Sequence, residues 1–228
     1  MRPSLVLAVA SCAACVPEGA RTEESFEVSA STKQPISRFT DTFERAAIGS
    51  DYLVTGPGWT ISDGALCATD AKNHGIWLHA PLPSNVRIAF DAIAKTEHGD
   101  IKVELFGDGE SFAKGTRYED ATGYVAIFGG WKNTAHVLAR LDEHGKDRAE
   151  VLLSAGSEDP RGRPVVPEQP YHFVFERRSV DLLTWTVNGT TLLEYRDASP
   201  LVGDDHAHFG FNNWVAPVCF DNLEITAF

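Results

Sequence analysis

Three groups of side chains in this sequence bring together residue types that can do chemistry. In Asp100-Ile-Lys-Val-Glu104, strand alternation puts Asp100, Lys102 and Glu104 on one face and Ile101, Val103 and Leu105 in the core. Two carboxyls then stand along one strand, each able to protonate a leaving oxygen if its environment raises its pKa. A solvated face with Lys102 ion-paired between the acids is the competing reading. The second group is the polar stretch from Trp131 to Arg148, which carries Asn133, His136, Arg140, Asp142 and His144. With Val137, Ala139 and Leu141 pointing inward, His136, Arg140 and Asp142 share the opposite face. A planar donor fork beside an imidazole and a carboxylate suits vicinal hydroxyls, and a cross-strand ion-pair network is the alternative. Asp100, Glu104, Asp142 and His144 are the candidates for acid or base catalysis.

The third group is aromatic. Trp131 follows Gly129-Gly130 and Trp214 follows Asn212-Asn213, so both fall at strand ends or loops, where an indole can stack on the apolar face of a sugar ring. Trp59 and Trp185 sit at core positions of alternating strands, and Trp77 fits either role. His208 and Asn212 precede Trp214 and join the candidate binding set. His206-x-His208 with Asp204 or Asp205 could hold a metal, but no further ligand follows at a known spacing, so a sugar-binding or surface role is preferred. Phosphate-cradling glycine loops, a serine elbow and a Cys-His nucleophile pattern are missing.

The elements that must position these groups are strands. Tyr171 to Arg177 alternates apolar and polar residues, and Leu182–Val187 meets Asn188-Gly189, the turn dipeptide of a tight hairpin, before Thr190–Tyr195. Trp59–Ser62 and Ala65–Ala68 flank Asp63-Gly64 in the same way. About eleven or twelve strands with almost no helical periodicity predict an all-β fold, a two-sheet antiparallel β-sandwich of jelly-roll type, whose concave groove would hold the ligand.

The chain has 228 residues and a formal net charge of −12, an acidic balance that argues against nucleic acid and anionic lipid as partners. A basic residue, an apolar run and Val9-Ala10-Ser11-Cys12 read as a signal peptide over 1–15 with a lipobox-like cysteine, Cys12 or Cys15. The expectation is a lipid-anchored protein of a bacterial envelope, or else a secreted one. Residues 16–38, rich in Pro, Glu, Ser and Thr, read as a flexible linker, and 39–228 as one domain. Cys67 and Cys219 either form a disulfide or remain two buried thiols in neighbouring strands.

Asp41-Thr-Phe-Glu44, Gly58-Trp-Thr-Ile-Ser-Asp-Gly-Ala-Leu66, the strand-Asn-Gly-strand hairpin and the closing Phe220-Asp-Asn-Leu-Glu-Ile225 resemble the concanavalin A-like lectin/glucanase superfamily. The nearest branch is the bacterial 3-keto-disaccharide hydrolase-like and laminarinase-like proteins. The shared face and the tryptophans point to binding of a poly- or oligosaccharide; the resemblance implies hydrolysis of a glycoside or 3-keto-glycoside as the alternative, and a structural adhesion role is a third reading. The resemblance also implies a structural calcium near Asp41 and Asp221, although Asp221 could equally cap a turn. The Glu-x-Asp-x-Glu motif of the glucanases is not present, which leaves the pair of carboxyls that hydrolysis requires unassigned.

Overall fold

The computed structural model describes residues 34–228. Cys12, Cys15, the leader and most of the linker lie outside the described residues. Within them the chain forms β1 (Arg38–Asp41), β2 (Tyr52–Val54), β3 (Trp59–Ser62), β4 (Ala65–Ala68) and β5 (Ile76–Leu78). The longer β6 (Val86–Ala94), β7 (Ile101–Gly107), β8 (Tyr124–Gly129) and β9 (Ala135–Arg140) follow. The last six are β10 (Ala149–Leu152), β11 (Pro170–Ser179), β12 (Leu182–Val187), β13 (Thr190–Arg196), β14 (His208–Asn212) and β15 (Val218–Ala227).

These strands make two antiparallel sheets, as the alternation predicts. One runs β13-β12-β11-β6-β15-β4-β3, with β1 also paired to β15, and the other runs β10-β9-β8-β7-β14-β5-β2. Both turn dipeptides adopt the left-handed conformations that tight hairpins need: Asn188 and Gly189 have φ of 49° and 79°, Asp63 and Gly64 of 52° and 74°. Ile36, ahead of the boundary read at residue 39, donates its N–H to Pro81 O (3.0 Å).

The two sheets enclose an aromatic core. Phe90 of β6 lies 5.0 Å from Phe173, 5.5 Å from Phe211 and 6.0 Å from Phe220, centroid to centroid. Trp59, Trp77 and Trp185 are all buried.

The outer face of the second sheet is covered as well. Residues 108–123, the connection from β7 to β8, fold back as a strap, and Ala113, Tyr118 and Ala121 make a second small core with Val125, Ile127, Val137 and Ala139. Close approach is bought with glycine: Trp77 lies on Gly107 and Gly210, where an added Cβ would come within 2.4 and 2.8 Å of the indole. The indole N–H then donates to Ser111 O in the strap (2.8 Å).

Cys67 and Cys219 face each other across β4 and β15 and form a disulfide. It links residues 152 positions apart, so it restricts the unfolded chain strongly. Replacing both cysteines with alanine is expected to cost about 2–4 kcal/mol of stability. Chemical denaturation with and without reductant measures this, and a midpoint unmoved by either treatment would contradict it.

Candidate functional site

Four connections converge at one end of the strap. The β7 strand presents Lys102 and Glu104 outward, as alternation requires, while Ile101, Val103 and Leu105 face the core. Lys102 does not pair with its strand neighbours. Its Nζ donates to Glu143 Oε2 and to Asn73 Oδ1, both at 2.8 Å, and both Lys102 and Glu143 are buried. Glu143 Oε1 accepts from Tyr118 N–H (3.3 Å) and lies 3.3 Å from His144 Nε2. Tyr118 in turn donates its hydroxyl to Glu104 Oε1 (2.5 Å), which also accepts from Asn212 Nδ2 (2.7 Å). This buried network fastens the strap to the sheet.

Beside it opens a cavity of about 600 Å³. Asp100, Lys102 and Ile127 line it from the sheet, Thr116 and Arg117 from the strap, Glu143 and His144 from the β9–β10 connection. Trp131 and Trp214 line it too, joined by His98, Lys132, Val215 and Ala216.

The two tryptophans are held by unlike devices. Trp214 lies in the β14–β15 connection, which is bonded to the loop before β5: Lys72 N–H donates to Trp214 O (2.8 Å) and Asn73 N–H to Asn213 O (2.8 Å). Trp131 stands on a left-handed turn: Trp131, Lys132 and Asn133 have φ of 51°, 60° and 63°. For residues with a Cβ this costs roughly 1–2 kcal/mol each, so the surroundings must impose it. Asn133 does so, donating to Glu97 O (3.0 Å) and Val165 O (2.8 Å) and accepting from Val165 N–H (2.8 Å). At 36% exposure, the Trp131 indole remains open.

The sequence-based candidates therefore divide. Asp100, His144, Trp131 and Trp214 meet at the cavity, whereas Asn133 supports the turn behind it. Glu104 and Asn212 are buried beneath the strap and line no part of the cavity. Asp142 closes a turn, its Oδ1 accepting from His144 N–H (2.8 Å).

His136 and Arg140 lie on the opposite side of the sheet from the one expected. His136 stacks on Phe128 (4.1 Å, 7°) inside the sandwich, its Nδ1 accepts from Gly129 N–H, and burial pushes its pKa down to about 3. Arg140 donates to Asp197 Oδ2 (2.9 Å) and Ser199 O (3.0 Å). The reason is the strap. Val137 and Ala139 pack beneath it, so β9 is buried on both faces and its alternation does not reveal which face is inward.

His208 is held by Leu78 O (2.9 Å from Nδ1) and lies under the strap at Gly109. Asp41 spends its carboxylate on Arg45 (2.6 and 2.8 Å) and Tyr52 OH (2.8 Å), and Asp221 accepts from Asn222 N–H (2.6 Å). Among the described residues no group of three or more His, Cys, Asp or Glu is placed to hold a metal ion.

Sequence reasoning missed Glu143, Tyr118, Asn73, Arg117 and Lys132. All five lie in connections, where no periodicity signals a shared face.

Two carboxyls are strongly perturbed. Burial pushes Asp100 up to about 6, opposed by Lys102 and reinforced by Glu143. Burial pushes Glu104 up to about 7 against the hydrogen bonds from Tyr118 and Asn212, and its Oε2 is buried without a partner. The unfolded chain releases the Glu104 proton near the ordinary value of 4.5, whereas the folded chain keeps it to about 7. The Glu104 contribution to stability is thus full below about 4.5 and lost as pH rises towards about 7. Urea unfolding across this range is expected to show a shallower decline in Glu104→Gln than in the parent, and an identical decline would refute the assignment.

The chain matches no protein-family model and no curated protein sequence. Solved structures do share its architecture. The carbohydrate binding module CBM66 from Bacillus subtilis superposes with a TM-score of 0.54 at 16% identity, covering 76% of this chain and 94% of that one. The Emp47p carbohydrate recognition domain gives 0.58 at 12% identity, covering 84% and 95%. The alginate lyase Aly36B gives 0.54 at 13% identity, covering 86% and 98%. At these identities the likeness is one of fold, and the fold is the jelly-roll β-sandwich of this group.

Proposed function

We propose that the protein binds a saccharide in the cavity between Trp131 and Trp214. The observation that carries this reading is the pairing of two indoles with the polar floor of Asp100, Lys102 and Glu143 in one cavity of about 600 Å³. Indole faces stack on the C–H faces of sugar rings, while fixed donors and acceptors orient the hydroxyls. Two proteins of similar fold, a carbohydrate binding module and a carbohydrate recognition domain, support it. So does the sequence resemblance to the hydrolase-like and laminarinase-like branch.

One observation favours a second reading, cleavage of a glycoside. Asp100 and Glu143 both line the cavity, and Asp100, held up to about 6, stays protonated in mild acid and could donate to a leaving oxygen. One experiment addresses both readings: the full chain is titrated with a panel of oligosaccharides at pH 5.5 while products are followed by mass. Trp131→Ala or Trp214→Ala is expected to weaken binding by about ten-fold or more, the loss of one stacked ring. Unaltered binding in both folded variants would remove the cavity from consideration. Product release that disappears in Asp100→Asn would establish cleavage, and binding without products in the parent would dismiss it.

The leader-like segment extends the proposal to location: Cys12 or Cys15 carries a lipid that anchors the domain at a bacterial envelope. Metabolic labelling with a fatty acid is expected to mark the parent and to fail when the acylated cysteine is replaced by serine. A chain that is never labelled would leave secretion as the reading.

A further inference from the structure

The charge around the cavity runs against that of the molecule. The protein carries a formal net charge of −12, yet two of its bases line the cavity mouth and two more lie over the tryptophan rings beside it. Lys132 follows Trp131 on the left-handed turn, and Arg117 stands on the strap. Lys72 lies 4.7 Å over the ring of Trp214, and Arg148 lies 4.8 Å over that of Trp131. Three of these four hold acidic partners: Lys72 with Asp70 (2.7 Å), Arg117 with Glu119 (3.3 Å) and Arg148 with Glu150 (2.9 Å). The first two pairs are exposed and the third partly so, and such pairs contribute little and are readily exchanged. Lys132 forms no ion pair among the described residues. On the acidic side, Glu143 is already matched by Lys102 at 2.8 Å, which leaves Asp100 as the acid without a direct cationic partner.

The backbone strain sits at the same place. Three successive left-handed residues are kept in a turn whose tip carries one aromatic ring and one cation side by side. Asn133, the third of them, is consumed in holding the turn, while Trp131 and Lys132 are exposed. Strain maintained by dedicated hydrogen bonds marks a conformation that positions these two side chains together.

We infer that the ligand is an acidic saccharide, a uronate-containing oligosaccharide with one ring on Trp131 and its carboxylate met by Lys132 and Arg117. This rests on the saccharide reading above and names its chemical class. The ammonium and guanidinium supply charge-assisted hydrogen bonds that a neutral sugar cannot use. They also attract an anion to this part of a protein that is acidic as a whole.

The test titrates the full chain with tetrasaccharides of galacturonate, mannuronate, guluronate and glucuronate, each beside its carboxyl-reduced neutral counterpart. At least one acidic form is expected to bind about ten-fold more tightly than its reduced partner, the scale of one charge-assisted contact. Raising the salt should narrow that gap, since screening acts on the acidic form alone. Lys132→Gln with Arg117→Gln should erase most of the gap, the affinity for the acidic form falling towards that for its reduced partner, with the thermal midpoint close to that of the parent. Equal or tighter binding of the reduced forms, still sensitive to Trp131→Ala, would overturn the acidic class and leave the saccharide reading standing. Binding of no member in either form would overturn both.

Discussion

A lysine and a glutamate buried beneath a loop are tolerable only when every charged atom finds a partner, because desolvating either ion alone costs several kcal/mol. Lys102 and Glu143 meet that condition by drawing in Asn73 and the Tyr118 backbone from two other connections. Four segments remote in sequence are thereby compelled to meet at one point. The strap cannot lift without breaking the Tyr118 bonds to Glu143 and Glu104, and the loop bearing Glu143 cannot drift without parting it from Lys102. The cavity is the space left beside this knot, and its walls inherit the rigidity of the knot.

The site also illustrates how differently two similar side chains can be supported. Trp214 is held by backbone ladder bonds between two loops, an arrangement that costs nothing unusual. Trp131 is held on a backbone that resists its own conformation and is stabilised by Asn133 from outside the cavity.

How much of this was legible depended on whether a segment has two unlike faces. Strands β11 and β12 alternate cleanly because one side meets the core and the other meets water, and the Asn-Gly and Asp-Gly dipeptides fixed their hairpins. The outward row of Asp100, Lys102 and Glu104 was readable for the same reason of period. Strand β9 defeated that reading, since Val137 and Ala139 serve a second core that the strap creates and His136 is a core aromatic in effect. A residue such as Glu143 carries no local mark of its role. Its partner lies on another strand, and only the register of the sheets brings them together. Trp131 and Trp214 were visible because each follows a pair of turn-forming residues.

Strand β15 is the last of the domain and yet lies inside its sheet, with β6 along one side and both β4 and β1 along the other. Its neighbours begin at residues 38, 65 and 86, so most of the chain must be in place before the sheet has a middle. Contacts of such long sequence separation form slowly and late. During synthesis the earlier strands would present unpaired edges until residues 218–227 emerge from the ribosome. A domain so ordered completes its first sheet only once that strand arrives.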